Sequence, residues 1–441
     1  MVAAALLLGA SLALTPAQLK QIDGVVAQVM QADHIPGLSL GIARKGKVLL
    51  ARGYGLRDVD KQAPADAKTI YRIGSITKQF TAALVLQESD RGALPANAAM
   101  DGYTISQLLS QTTGLVSYTD PGQTLDSAMN APPNFTPGSQ WQYSNSNYYL
   151  LGNALESATH TSYADLIQTR ICKPLHLTST ALALPAGPDV AQGYAWDGTQ
   201  FAPATPGPNA TPALAFSASG LSSNVVDLLR WLGGLADSEV VPSDTFEEMT
   251  TSGALPDGTL THYGYGFFID DWYGWAVAEH PGLIDGYSGG DAISLGDDLA
   301  LVVLTNENQV SLTPLEKSIF AILDKPKDRA LVADLASSAQ NEDPATSAAV
   351  KAVAASLAAG SLDRSALTPA LSARTPDGAA RADAALVRPL GAVKLVEFIE
   401  VTHLGGVTYE DYRVSFEHGV LLFTVSMKDD KIDSLAISRP Q

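Results

Sequence analysis

The sequence predicts an α/β (α+β) protein, in which an antiparallel sheet flanked by helices carries a helical insertion and is followed by a small C-terminal α+β domain. Three observations support this fold class: strand-like runs lie at both ends of the longer N-terminal part, the region between them has helical patterning, and the composition changes near Lys325. With 441 residues and 46% apolar side chains, the chain is long enough for two or three domains and can bury a sizeable core.

The first strands are predicted to form a hairpin. Residues 37–42 and 47–54 are rich in strand-forming side chains, and Arg44, Lys45 and Gly46 between them are typical of a turn. Residues 73–91 then predict a helix, which Gly92 ends.

The middle of the chain, to about residue 231, is mainly helical in pattern, with loops rich in Pro, Gly, Asn and Ser. Asn224 precedes an apolar-periodic run and is a favourable N-cap. Strand patterns return at residues 263–269, 291–295 and 300–305. We therefore expect one sheet built from both ends of this domain, with the helices inserted between them.

The C-terminal part begins near residue 326. An Ala-rich stretch at 347–359 is followed by four strand-like runs, at residues 393–401, 407–416, 421–427 and 432–438. We predict a first domain over residues 18–325 and a separate α+β domain over residues 326–441. The second holds no cluster of catalytic residue types, and its role is unknown.

The N-terminal residues 2–14 are apolar but shorter than the roughly 18 residues that span a bilayer. They resemble a signal-peptide core, so residues 1–17 are a candidate signal peptide, although no Lys or Arg precedes them. With a signal peptide the protein is periplasmic or secreted. The alternative is an apolar helix that stays in the fold of a cytoplasmic protein.

Charge and cysteine content exclude several kinds of partner. The 46 acidic and 28 basic side chains give a net charge of −18, which argues against nucleic acid and against a stable polybasic membrane anchor. The single cysteine excludes an internal disulfide framework and a thiolate metal site. We expect a small-molecule or peptide substrate, and the sequence does not indicate an oligomeric state.

Ser75 and Lys78 are the strongest candidates for chemistry. Residues three apart at the start of a helix lie on one face, one turn from each other. A lysine activates a serine hydroxyl as a base when burial keeps its amine neutral, and the helix N-terminus favours an oxyanion beside the serine. No other lysine in the chain has a serine three residues before it.

Two weaker features follow in the chain. Tyr143 and Asn145, after a Pro-Gly turn, present a phenol for proton transfer and an amide for a substrate carbonyl. His280 precedes Pro281 and Gly282. Alone, each of these features is more typical of a packed structural residue than of a catalytic one.

Taken in order, these features resemble the serine β-lactamase and penicillin-binding protein superfamily, and within it the class C β-lactamase-like branch that includes serine esterases and D-peptidases. The resemblance covers about residues 20–310. It is carried by YRIGSITKQFT, LLSQTTGL, PLHL and GLSSN, at residues 71–81, 108–115, 174–177 and 220–224. Gln111 stands where His is common in the family.

The resemblance implies a mechanism that needs no cofactor and no metal. Ser75 forms an acyl-enzyme, Lys78 and Tyr143 share the general-base and general-acid work, and His280 stands where β-lactamases carry the Lys of K-T-G. Asn145 holds the substrate or tunes Lys78. The backbone at Gly282 and Leu283 binds the substrate, and the amides of Ser75 and Leu283 form the oxyanion hole.

Departures from the family pattern bear on the substrate. Pro281 replaces the Ser or Thr hydroxyl that binds the carboxylate of β-lactams and D-Ala-D-Ala peptides, and residues 272–295 contain no Lys or Arg. Glu279 either meets a substrate amine or is a surface residue. Ser288 matches the G-x-S-x-G elbow of another hydrolase fold, but the helix that should follow that motif is not predicted here.

We therefore expect a β-lactamase-like serine hydrolase acting on a carboxylic ester or an amide. The same-class alternative is a D-amino-acid-specific peptidase, a DD-peptidase or a β-lactamase. The different-class alternative is a non-catalytic binding or regulatory protein on the same fold.

Overall fold

The structure is a computed structural model. It describes residues 13–120, 122–196, 199–272, 274–307, 310–323, 344–375, 384, 387–404, 407–417 and 419–438. Most of the candidate signal peptide, residues 1–12, lies outside the described residues. The chain divides into two compact units, Met1–Lys325 and Pro326–Gln441.

The first unit contains fourteen described strands. They are β1 Gly37–Arg44, β2 Lys47–Asp58, β3 Ala63–Pro64, β4 Tyr71–Arg72, β5 Ala99–Met100, β6 Tyr103–Thr104, β7 Ala181–Leu182, β8 Tyr194–Trp196, β9 Phe201–Pro203, β10 Leu221–Ser223, β11 Phe268–Trp272, β12 Trp275–Ile284, β13 Tyr287–Ser294 and β14 Leu299–Thr305.

Its described α-helices are α1 Pro16–Ala32, α2 Thr77–Asp90, α3 Ile105–Leu109, α4 Leu125–Asn130, α5 Asn145–Thr159, α6 Tyr163–Leu166, α7 Lys173–Leu175, α8 Pro212–Ser219, α9 Val225–Ala236, α10 Ser243–Met249 and α11 Thr313–Leu323. A 3₁₀ helix, Gly74–Ile76, leads into α2, another spans Pro208–Ala210, and a π-helix, Ile167–Cys172, joins α6 to α7. None of the described helices is long and apolar enough to cross a membrane.

The main sheet is antiparallel, with the strand order β11-β12-β13-β14-β1-β2-β3. Its strands come from both ends of the unit, and α2 to α10 are inserted between β3 and β11. This confirms the predicted fold class. The predicted hairpin also forms, because Lys45 and Gly46 take the positive φ values of 51° and 69° that a two-residue turn requires.

Helices cover both faces of the sheet. A Cβ on Gly289 would meet Ile76, whereas one on Gly290 would meet Glu316 of α11, and neighbouring strand residues point to opposite faces. Every residue of β13 and β14 is accordingly buried. α9 lies against β1 and β14 and begins at the predicted N-cap Asn224, whose Oδ1 accepts a hydrogen bond from the Asp227 amide.

Two sequence expectations for this sheet were incomplete. The strand predicted at residues 263–269 begins only at Phe268, because Gly264 and Gly266 place turns before it. β12 was not predicted, since Pro281 and Gly282 interrupt its strand pattern. Proline is tolerated there because β11 pairs with β12 only as far as Glu279, so Pro281 lies on an edge.

The second unit contains an antiparallel sheet of four strands in chain order, β15 Val393–Leu404, β16 Val407–Phe416, β17 Gly419–Lys428 and β18 Lys431–Ser438. All four strands lie where the sequence predicted them. Two described α-helices, α12 Pro344–Ala358 and α13 Pro369–Arg374, precede the sheet, and α12 packs on it. Its core includes Val353, Leu357, Tyr412 and Phe423.

Candidate active site

Ser75 lies in the short 3₁₀ helix that leads into α2. It is the one residue between 71 and 80 that solvent partly reaches, since the other nine are buried. Lys78 follows one turn later and is fully buried. Its Nζ lies 3.0 Å from the Ser75 Oγ. The structure therefore brings the predicted serine and lysine into direct contact.

The surroundings of Lys78 favour a neutral amine. Its Nζ donates hydrogen bonds to the Asn145 Oδ1 at 2.7 Å and to the Ala218 carbonyl at 2.9 Å. Burial lowers the pKa of Lys78 well below its ordinary value. A neutral amine has two N–H groups and one lone pair, so these two acceptors leave the lone pair for the Ser75 hydroxyl proton.

The Ala218 carbonyl reaches Lys78 through a kink in α8. Phe216 has φ 37° and ψ −129°, a backbone conformation that side chains larger than glycine rarely adopt. Next to the kink, a Cβ on Gly152 of α5 would lie 2.1 Å from the Ser217 Oγ, so only glycine fits there. No sequence motif marks Ala218, because its contribution is a backbone carbonyl.

Asn145 is the first residue of α5, and its side-chain amide is oriented by a hydrogen bond from its nitrogen. Its Nδ2 donates to the Thr119 Oγ1 at 2.8 Å, which orients Oδ1 towards Lys78. Gln111 supports the same loop, since its Oε1 accepts a hydrogen bond from the Ser144 amide at 3.0 Å. Asn145 was expected either to hold the substrate or to tune Lys78, and its side chain contacts Lys78.

The Tyr143 ring stacks on Phe268, with 6.1 Å between the two ring centroids. The Lys78 Nζ lies 4.7 Å from the centroid of the Tyr143 ring. Its hydroxyl is buried and makes no hydrogen bond of ordinary geometry to a described residue. Burial, with a smaller contribution from Tyr263, raises the pKa of Tyr143 well above its ordinary value, and the nearby Ser75 hydroxyl opposes the rise. Tyr143 is therefore a protonated phenol.

His280 lies on β12 and is fully buried, 5.9 Å from the Tyr143 ring. Burial, the main cause, lowers the pKa of His280 to about 3, so the imidazole is neutral. Its Nδ1 lies 2.6 Å from the Pro281 carbonyl, which only accepts, so Nδ1 carries the proton. Its Nε2 is then the acceptor and faces the Tyr263 hydroxyl at 3.4 Å.

The end of β12 packs against the nucleophile segment. Gly74 has φ +52°, and a Cβ on it would lie 2.6 Å from the Leu283 nitrogen. A Cβ on Gly282 would lie 2.1 Å from the Ile73 carbonyl oxygen. None of the described strands pairs with this edge of β12 beyond Glu279, so the predicted substrate-binding residues Gly282 and Leu283 border an open strand edge beside Ser75.

Three carboxyl groups are buried in and beside β12 and β13. Glu279, Asp291 and Glu316 are 9%, 0% and 1% exposed, and each has one oxygen without a described hydrogen-bond partner. Burial raises the pKa of Asp291 and of Glu316 to about 8, and the pKa of Glu279 well above its ordinary value. The expectation that Glu279 is a surface residue was wrong.

Ser288 is 1% exposed in the interior of β13, where its Oγ accepts a hydrogen bond from the Val310 amide. A further strand, not a helix, follows it, so the elbow motif has no structural counterpart. Within the described part of the chain, no group of three or more His, Cys, Asp and Glu side chains has the arrangement of a metal site.

Two curated proteins are similar in sequence to this chain. The chain is 29% identical over 325 residues to Protein flp of Staphylococcus aureus, an alignment that covers 66% of this chain and 63% of that protein. It is 24% identical over 318 residues to a D-aminopeptidase of Gluconobacter oxydans, covering 66% and 59% of the two chains. The chain thus spans less than two thirds of the length of these relatives.

Among solved structures, the octameric penicillin-binding protein homologue from Pyrococcus abyssi superposes with a TM-score of 0.63 at 21% identity, covering 96% of this chain and 98% of that one. The sequence profile of the Beta-lactamase family matches residues 22–323. This chain belongs to the Beta-lactamase family, and its fold is that of a penicillin-binding protein homologue.

Proposed function

We propose that the protein hydrolyses a carboxylic ester or an amide through an acyl-enzyme on Ser75. The observation that carries this proposal is the contact of the Ser75 Oγ with a buried lysine amine whose two N–H groups already have acceptors. This is the arrangement that makes a serine hydroxyl nucleophilic.

We assign Lys78 as the base and Tyr143 as the acid, because burial lowers the pKa of the Lys78 amine and raises the pKa of the Tyr143 phenol. Lys78 takes the Ser75 proton as the Oγ–carbon bond forms and the substrate carbonyl becomes an oxyanion, which the amides of Ser75 and Leu283 stabilise. As the tetrahedral intermediate collapses, Tyr143 gives its proton to the leaving oxygen or nitrogen. The Lys78 ammonium returns a proton to Tyr143, and water then releases the acyl group by the same steps in reverse.

His280 takes no proton in this scheme. Its Nδ1 proton is directed at the Pro281 carbonyl, and its Nε2 accepts from Tyr263. We assign it a positioning role, in which it keeps the open edge of β12 and the aromatic rings around Tyr143 in register.

A D-amino-acid-specific peptidase or amidase is the second candidate, because a curated relative is a D-aminopeptidase. Glu279 does not supply the carboxylate that such an enzyme uses for the substrate amine, since it is buried and its raised pKa keeps it protonated. Pro281 offers no hydroxyl for a substrate carboxylate, which disfavours the β-lactamase and DD-peptidase alternatives.

The test compares p-nitrophenyl acetate, a chromogenic cephalosporin and D-Ala-p-nitroanilide as substrates of the wild type, Ser75→Ala and Ser288→Ala. We expect turnover of the ester that is lost in Ser75→Ala and kept in Ser288→Ala. Turnover of the anilide above the ester would favour the D-peptidase alternative. No turnover and no covalent adduct would favour the binding-protein alternative.

A further inference from the structure

A cavity of about 400 Å³ lies beside the turn that follows β12, in the first unit. Much of its wall is apolar, with Leu184, Ala204, Pro206 and Pro212 among the lining residues. Its charged lining residues are Arg72 and Asp285. The mechanism proposed above uses neither of them.

Arg72 is a buried cation with few partners. It is 7% exposed, and its Nη2 donates to the Ala210 carbonyl. Its Nε is buried with no hydrogen-bond partner among the described residues, and no described carboxylate lies within salt-bridge distance. Burial lowers the pKa of Arg72. A guanidinium has five N–H donors, and a buried charge is costly unless it is paired, so Arg72 favours an anion that enters the cavity.

Asp285 does not complete the site. Its Oδ2 accepts a hydrogen bond from the amide of Gly207, another lining residue, and the side chain is only half-buried. The charge of Asp285 acts on Arg72 over a longer distance, where it opposes the lowering of the arginine pKa. Solvent screens such a carboxylate far more than it screens the buried guanidinium.

The two charged residues of the cavity are close in sequence to the nucleophile and to Leu283. Arg72 precedes Ser75 by three residues, and Asp285 follows Leu283 by two, at the end of the open β12 edge. The close approach of Gly74 to Leu283 fixes these two segments to each other. Both charged lining residues of the cavity therefore lie within three residues of the groups that would hold the substrate carbonyl, Ser75 and Leu283.

We propose that this cavity is a subsite for a carboxylate at the end of an apolar arm, so that preferred substrates are monoesters or monoamides of dicarboxylic acids. The carboxylate binds Arg72, and the apolar arm packs against the proline, leucine and alanine side chains of the wall. The inference rests on the proposed function, because it places the acyl group of the substrate at Ser75.

The experiment compares mono-p-nitrophenyl glutarate with the neutral p-nitrophenyl valerate. In Arg72→Gln, we expect KM for the glutarate ester to rise about tenfold or more, as for loss of a charged hydrogen bond, while KM for the valerate ester changes less than twofold. Arg230→Gln, which changes an exposed arginine, is the matched control and leaves both KM values unchanged.

Asp285→Asn tests the same proposal while keeping the buried cation, and the expected change in KM is opposite to that of Arg72→Gln. The amide oxygen still accepts from Gly207, but the negative charge is gone, so KM for the glutarate ester falls by about threefold at low salt. Equal changes for both esters in both variants would overturn the proposal. If Arg72→Gln does not fold, the result for Asp285→Asn decides.

Calorimetric titration of Ser75→Ala with glutarate separates the subsite from the catalytic function. Glutarate binding that is lost with Arg72→Gln supports the subsite even if no ester is hydrolysed. Hydrolysis of the valerate ester without glutarate binding overturns the subsite and leaves the proposed function intact. Binding of inorganic phosphate as tight as that of glutarate also overturns it, because the apolar arm then contributes nothing.

Discussion

Replacing Glu316 with glutamine should flatten the dependence of stability on pH. The carboxyl is 1% exposed, and burial raises its pKa from the ordinary 4.5 to about 8. Between these two values the folded chain holds one proton at this site that the unfolded chain has released. Wild-type stability is therefore highest below the unfolded pKa and is lost as the pH rises through the folded pKa.

The magnitude follows from the displacement of the pKa. At about 1.4 kcal/mol for each tenfold change in proton affinity, raising the pKa from 4.5 to about 8 costs at most roughly 5 kcal/mol once the site is ionised. The slope of the unfolding free energy within this window is about −1.4 kcal/mol per pH unit for each extra proton held. Glu316→Gln removes the contribution of one such proton to the slope. The raised pKa values of Asp291 and Glu279 still contribute to the slope in the variant.

Urea unfolding at pH values from 4.5 to 8.5, followed by tryptophan fluorescence, measures this slope. As the pH rises, the unfolding free energy of the wild type should fall relative to that of Glu316→Gln, whichever of the two is higher at pH 4.5. Glu247→Gln, at an exposed glutamate, is the matched control and should run parallel to the wild type. Parallel curves for Glu316→Gln and the wild type would refute the assignment of a protonated, buried Glu316.

Three further predictions concern the active site and the second unit. Tyr143→Phe should lower kcat/KM for p-nitrophenyl acetate about 100-fold or more, with little change in Tm, because the hydroxyl has no described hydrogen-bond partner while the ring keeps its stacking on Phe268. Asn145→Ala should lower kcat about 10-fold to 100-fold and shift the pH–rate profile, because Lys78 loses an acceptor, and the exposed Asn130→Ala is its control. A chain that ends at Lys325 should keep ester hydrolysis, and a folded but inactive product would show that residues 326–441 contribute to the site.

The sequence was sufficient for features that depend on local patterns. The Lys45-Gly46 turn, the Asn224 N-cap and the four C-terminal strands each follow from residues that are adjacent in the chain. The spacing of Ser75 and Lys78 also requires only one helical turn.

Features that depend on tertiary contacts were not predictable in this way. The Ala218 carbonyl reaches Lys78 because of a strained Phe216, and neither residue type signals a role. β12 was missed because Pro281 is tolerated only where the neighbouring strand has ended. The burial of Glu279 depends on α11, which comes from a later part of the chain.

The nucleophilic role of Ser75 is tested most directly by labelling with an alkyl fluorophosphonate, which bonds to an activated serine oxygen with loss of fluoride. Peptide mapping by mass spectrometry then identifies the labelled residue. We predict one adduct, on Ser75, which is absent from Ser75→Ala and unchanged in Ser288→Ala. We also predict that it forms faster as the pH rises through the lowered pKa of Lys78. An adduct on another serine, or full labelling of Ser75→Ala, would contradict the account.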